Sequence, residues 1–135
     1  MEERLLKLGL VASGGALGSV ARYALAVWVQ DTSNRALEVG YPLGTTVVNL
    51  IGSFAFGVVW TYTSYSPNAA EWRLFLLSGV LGAFTTFSTL MFESAQAAQH
   101  GRIGMAIVHL VVHLALGMWA VMLGLGAGRL FIPSQ

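Results

Sequence analysis

Apolar residues run through this chain in long blocks rather than in short periodic patches. No charged residue falls between Val39 and Ala70 or between Ile103 and Gly128, and a third uncharged run extends from Leu74 to Phe92. A helix needs roughly 20 mostly apolar residues to cross a bilayer, and these runs match or exceed that length. The pattern predicts an all-α membrane protein with four spans, at about 5–29, 43–65, 74–98 and 103–131. The connections are short, so residues 1–135 read as a single integral-membrane domain.

Polar residues inside the blocks change the picture. The third block contains Gly79-Val80-Leu81-Gly82-Ala83-Phe84-Thr85-Thr86-Phe87-Ser88-Thr89, in which four hydroxyl side chains fall within five residues. Lipid gives backbone and hydroxyl groups no water to bond, so the cluster predicts a third helix broken at mid-membrane. Such breaks are tolerated where they line a protein-walled cavity, and discontinuous membrane helices mark ion sites. The expectation is passage of an ion or small polar solute. At helical spacing Phe84, Phe87 and Met91 share one face, and Thr85, Ser88, Thr89 and Phe92 share another. Glu93 sits one turn beyond, a carboxylate at a depth where acids are functional candidates.

The other spans each add a few polar groups. In span 2, Asn49 leads a stripe with Ser53 and Phe56; its amide either lines a pathway or glues helices together. In span 4, His109 and His113 stand at i, i+4 and project from one face. With Glu93 they could bind a transition metal, although the Glu of a His-Glu-x-x-His metalloprotease motif is missing. Arg22, late in span 1 beside Tyr23, either snorkels to the headgroups or forms an electropositive mouth that attracts anions. The buried inventory is dominated by hydrogen-bond donors. One acid and no carboxylate ring suit a small anion better than a cation.

Composition agrees: 56% of residues are hydrophobic and 10% charged, and the mean hydropathy is +0.69. A net charge of +1 accompanies the expectation of no nucleic-acid partner, and the absence of cysteine excludes disulfides and thiolate metal sites. Glu2 and Glu3, followed by a run longer than a signal core, argue against a cleavable signal peptide. Arg4, Lys7, Arg73 and Arg129 would collect on one side and Arg35 and Arg102 on the other, a weak bias that permits both orientations. Four helices of one short chain can hardly enclose a hydrated pathway alone, so an oligomer is expected. Small-xxx-small pairs at Gly14/Gly18 and Gly124/Gly128 suit close helix packing, either within a protomer or between subunits.

Together the segments Gly14-Gly15-Ala16-Leu17-Gly18 with Arg22-Tyr23, Gly44 through Ser53, and Gly79 through Thr89 with Glu93 resemble the Fluc/CrcB family of fluoride channels. The resemblance covers nearly the whole chain. It implies an antiparallel, dual-topology homodimer in the plasma (inner) membrane, carrying two fluoride pores that passively lower cytoplasmic fluoride. It implies pore roles for Asn49, Phe87, Ser88, Thr89, Glu93 and His113, with His109 on the same track and Arg22 near a vestibule. It also implies a structural sodium ion held at the dimer centre by the backbone carbonyls of Gly82 and Thr85. Two positions depart from the family pattern: Leu90 stands where a second phenylalanine is usual, and Gly117 where a serine is often found. Water or His109 could replace that missing hydroxyl.

Fixed amides and hydroxyls can replace the hydration shell of fluoride without holding it too tightly to leave. No nucleotide-binding loop is present, so movement is expected to be passive and the protein is not expected to be an enzyme. A small dual-topology multidrug exporter is the transport alternative, but it would rely on an acid in the first span, and span 1 has none after Glu3. A non-transporting structural membrane subunit is the other.

Overall fold

The computed structural model describes residues 1–37 and 40–131. It is all-helical among these residues, with four helices long and apolar enough to cross a membrane. The protein is therefore a multi-pass membrane protein. In chain order the elements are α1 (Glu2–Leu37), α2 (Leu43–Thr63), α3 (Ala69–Trp72), a π-helical stretch (Arg73–Leu81), α4 (Gly82–Phe84), α5 (Phe87–Gln99) and α6 (Ile103–Gly128). A 3-10 turn (Arg129–Phe131) closes the described chain.

The first helix runs to Leu37, about two turns past the predicted end at Val29. Polar side chains support the extension: Gln30 Nε2 donates to Asn34 Oδ1 at 2.9 Å and Arg35 Nε donates to the Asp31 carbonyl at 3.1 Å. Side-chain hydrogen bonds one turn apart stabilise a helix that continues beyond its apolar block. At the other end of the fold, α5 stops because Gly101 adopts φ +74°. Arg102 N then donates to the Ala97 carbonyl at 2.8 Å and Gly101 N to Ala98 at 3.0 Å, the paired bonds of a Schellman cap.

Close backbone approach sets the helix packing. A Cβ on Gly14 would lie 2.5 Å from the Phe75 carbonyl and 3.1 Å from Gly79 Cα, so α1 and the π-helical stretch meet backbone to backbone. Gly18 likewise faces Val80, while Gly124 and Gly128 face Phe54 and Thr61 of α2. Both small-xxx-small pairs therefore pack within the protomer.

The interior mixes apolar side chains such as Val48, Leu77 and Phe84 with polar ones, and many large apolar side chains lie on the outside. Thr45, Thr46, Thr86, Ser94, His109 and His113 are buried, whereas Leu17, Val20, Leu114, Trp119 and Met122 are exposed. Hydrocarbon can cover the exposed set, but the buried hydroxyls and imidazoles must find partners inside.

Candidate functional site

The backbone at the hydroxyl cluster leaves the helical conformation for two residues. Thr85 has φ −81°, ψ 157° and Thr86 has φ −147°, ψ 115°, and α5 begins at Phe87. Local chemistry favours the restart. The Thr86 hydroxyl accepts from Thr89 N at 3.3 Å, a threonine N-cap, and bonds the Thr89 hydroxyl at 2.9 Å.

Asn49 of α2 completes the arrangement. Its Oδ1 accepts from Thr86 N at 2.8 Å and its Nδ2 donates to the Thr86 carbonyl at 3.0 Å. One amide thus pairs with both backbone groups of an extended residue, as a neighbouring strand would. The consequence reaches two more carbonyls. In an unbroken helix Thr86 N would bond the Gly82 carbonyl and Thr89 N the Thr85 carbonyl. Here those donors go to Asn49 and to the Thr86 hydroxyl instead.

The two extended residues also reset the helix register. Phe84 is buried and Phe87 is 71% exposed, so these rings do not share a face as uninterrupted helical spacing predicted. Ser88 is exposed beside Phe87, Thr89 is half-buried, and Leu90 is buried, 6% exposed.

A second group lies about two turns further along α5. Glu93 Oε1 accepts from the Thr45 hydroxyl at 2.7 Å, and Oε2 lies 3.1 Å from His109 Nε2. His109 Nδ1 is 3.0 Å from the Tyr41 hydroxyl. A carboxylate only accepts hydrogen bonds, so this pairing puts the His109 proton on Nε2 and leaves Nδ1 to accept from Tyr41. His113 is held by its Nδ1, 2.8 Å from the His109 carbonyl, and its ring meets that of His109 edge-on at 4.5 Å. Sequence alone does not point to Thr45 as a partner of Glu93 or to Tyr41 as a partner of His109. They precede or open span 2, and only tertiary packing brings Thr45 to span 3 and Tyr41 to span 4.

Three cavities surround these groups. One of about 340 Å³ is lined by Asn49, Ser53, Phe56, Phe87, Leu90 and His113. A second, of about 240 Å³, brings Arg22 together with Ser19, Thr45, Thr86 and Thr89. A third, of about 360 Å³, has Glu93 and His109 in its wall with Gln30, Gln96 and Arg102. Thr45 therefore sits between the Arg22 cavity and Glu93. Of the expected site residues, Asn49, Phe87, Leu90 and His113 share the first cavity, Arg22 and Thr89 line the second, and Glu93 and His109 line the third. Among the described residues, no group of three or more His, Asp or Glu side chains is placed to hold a metal ion. Glu93, His109 and His113 do not form the transition-metal site considered from sequence. His109 is committed to Glu93 and Tyr41.

The family profile described as CrcB-like protein, Camphor Resistance (CrcB), matches residues 9–125. The chain belongs to the CrcB family. It is 41% identical over 120 residues to the Fluoride-specific ion channel FluC of Acidobacterium capsulatum, spanning 88% of this chain and 93% of that protein. With the Fluoride-specific ion channel FluC of Agrobacterium fabrum it shares 39% identity over 126 residues, 93% of this chain and 98% of the relative. A protein of the same name from Thermus thermophilus is 43% identical over 119 residues, 88% and 91% of the two chains.

Both departures from the CrcB pattern have a visible setting. Leu90 fills the wall of the Asn49 cavity as a buried aliphatic side chain. A Cβ at Gly117 would lie 3.8 Å from Ser53 Oγ, so the hydroxyl at that level of the cavity comes from α2. His109 does not supply it, being turned toward Glu93.

Proposed function

We propose that this protein is a fluoride-selective channel of the plasma membrane that lets fluoride leave the cytoplasm passively. Near-full-length similarity to proteins named fluoride-specific ion channels supports the reading. The observation that carries it is the Asn49 clasp on the extended Thr86 backbone, beside a cavity of amide, hydroxyl and imidazole groups. Fluoride is small and strongly hydrated, so a path must offer several donors at once and hold none so tightly that the ion stays. One Asn49 N–H bonds Thr86, which leaves the second for an anion.

In this reading the third membrane helix is broken near mid-bilayer, and two protomers pair antiparallel in a single-domain, dual-topology homodimer. Phe87, exposed on the protomer, is then covered by the partner. Asn49, Phe87, Ser88, Thr89, Leu90 and His113 line the pathway, Arg22 draws anions toward it, and Glu93 with His109 closes one end. A structural sodium ion fits the dimer centre. The Gly82 and Thr85 carbonyls have lost their helical donors, and carbonyl oxygens on unwound backbone suit a hard monovalent cation. Sodium there would neutralise exposed carbonyl dipoles and hold the break open.

The test is efflux from liposomes containing only this protein, read with a fluoride electrode and repeated with chloride. Rapid fluoride release with little chloride release is expected. Absence of release from folded protein with sodium present would favour a non-transporting subunit, and release of lipophilic cations instead would favour an exporter.

A further inference from the structure

Tyr41 stands just before α2, in the connection from α1, and its backbone is held there. Its carbonyl accepts from Leu43 N at 2.8 Å and from Gln30 Nε2 at 3.1 Å. The Oε1 of the same Gln30 accepts from Gly44 N at 3.1 Å, so one amide of α1 staples the connection that carries Tyr41. Gly44 permits this close approach, since a Cβ there would overlap the Ala26 carbonyl. The half-buried Tyr41 ring meets His109 edge-on at 5.2 Å, and its hydroxyl lies 3.0 Å from His109 Nδ1. A fixed backbone thus aims one hydroxyl at one buried nitrogen.

We propose that Tyr41 is a positioning residue for Glu93: its hydroxyl holds His109 in the tautomer whose Nε2–H, with the Thr45 hydroxyl, fixes the carboxylate at the end of the fluoride pathway. The inference rests on the channel reading above and names what sets the geometry of that end. A neutral imidazole carries one proton, and the bond made by one nitrogen decides which nitrogen holds it. Against a carboxylate only the Nε2–H form is attractive, and that form leaves Nδ1 as a bare acceptor. His109 is 1% exposed, so the donor for Nδ1 must come from the protein. The Tyr41 hydroxyl is that donor. Its oxygen in turn faces the Thr46 hydroxyl at 3.5 Å, which is itself bonded to the Pro42 carbonyl at 3.1 Å.

The consequence for Glu93 follows from its two oxygens. Oε1 is held by Thr45 and Oε2 by His109, so both lone-pair faces of the carboxylate are shared with fixed donors. A His109 ring that has lost its Nδ1 partner no longer has one preferred tautomer or orientation, and Oε2 then loses its donor. Thr45 lines the Arg22 cavity and Glu93 lines the next one. An unshared negative charge there faces an anion crossing between the two and repels it. Tyr41 lines the Glu93 cavity as well, but it bonds His109 and reaches the carboxylate only through that ring.

The experiment compares fluoride efflux from proteoliposomes of the native chain, Tyr41→Phe, His109→Gln and the double variant. Tyr41→Phe removes only the hydroxyl and should lower efflux by about fivefold, the scale of one hydrogen bond. His109→Gln offers Glu93 an amide N–H that needs no tautomer, so in that background Tyr41→Phe should change efflux by no more than about twofold. Native efflux in Tyr41→Phe, or the same fall in both backgrounds, overturns the inference and leaves the channel reading standing. Isotope-labelled histidine, read by nitrogen NMR in detergent micelles, tests the lock without transport. The chain has three histidines, and replacing His100 and His113 in turn assigns the His109 signal. The native chain should carry the His109 proton on Nε2, and Tyr41→Phe should shift the Nδ1 resonance. A proton on Nδ1 in the native chain, or an Nδ1 signal that Tyr41→Phe leaves unmoved, overturns the inference whatever the efflux. Should Tyr41→Phe or His109→Gln fail to fold, the position of the native proton still decides. The expected signals in a native chain that releases no fluoride would overturn the channel reading and leave the lock on Glu93 standing.

Discussion

Replacing Asn49 tests the clasp that holds the break. Asn49→Ala removes both bonds to Thr86 and strands a backbone N–H and a carbonyl that the structure places 2.8 and 3.0 Å from the amide. An unsatisfied buried group costs about 1–3 kcal/mol. Interhelical hydrogen bonds in membrane bundles average only about 0.6 kcal/mol, because the unfolded chain in lipid finds other partners. Thr86 is extended and so stands outside the helical hydrogen-bond ladder, and a cost of about 1–2 kcal/mol per group is reasonable. The variant should lose about 2–4 kcal/mol, which is about 30-fold or more in the unfolding equilibrium at about 1.4 kcal/mol per tenfold. Reversible unfolding in mixed micelles, followed by tryptophan fluorescence, reads this directly. Asn49→Asp keeps an acceptor for Thr86 N but sets a carboxylate oxygen against the Thr86 carbonyl. It also puts negative charge on the pathway, so its fluoride efflux should fall to background. An alanine variant that unfolds within about 0.5 kcal/mol of the native chain would refute the clasp. Normal efflux through Asn49→Asp would remove Asn49 from the pathway.

Further expectations concern packing, the exposed ring and the cation. Gly124→Leu should cost about 3 kcal/mol, because the new Cβ would overlap the Phe54 carbonyl, whereas Gly126→Ala meets open space and should be neutral or stabilising by up to about 1 kcal/mol. The same unfolding assay separates the two, and equal costs would contradict the close α2–α6 approach. Phe87→Ala should leave protomer stability within about 0.5 kcal/mol, since the ring is 71% exposed. It should lower fluoride efflux by about tenfold, the scale of one lost aromatic contact; a stability loss with normal efflux would make Phe87 a core residue. Exhaustive dialysis of sodium against N-methyl-D-glucamine should weaken the dimer on size exclusion and abolish efflux, reversibly on adding sodium back. Unchanged dimer and efflux would remove the ion from the Gly82 and Thr85 carbonyls.

What could be read from the sequence was what depends on local chemistry. Charge-free runs mark spans 2 to 4, and hydroxyls packed behind glycines flag residues 82–89 because lipid cannot satisfy them. Asn49 stood out as a lone amide among Val47, Val48, Leu50 and Ile51. Its partner was not legible, since pairing with the Thr86 backbone depends on how α2 lies across the third span. The same holds for Tyr41 and Thr45, which reach Glu93 and His109 only through packing. Helical periodicity failed at Phe84 and Phe87, where two extended residues change the register that the face assignment assumed. Likewise the apolar block understated α1, whose last turns are held by polar side chains.

The most direct measurement of the central claim is electrical. Purified protein fused into a planar bilayer, with fluoride on one side and chloride on the other, should carry current whose reversal potential follows the fluoride gradient. It should show no measurable chloride conductance. A reversal potential set by chloride, or a membrane that stays silent although sodium is present and the protein is folded, would contradict a fluoride pathway through these residues.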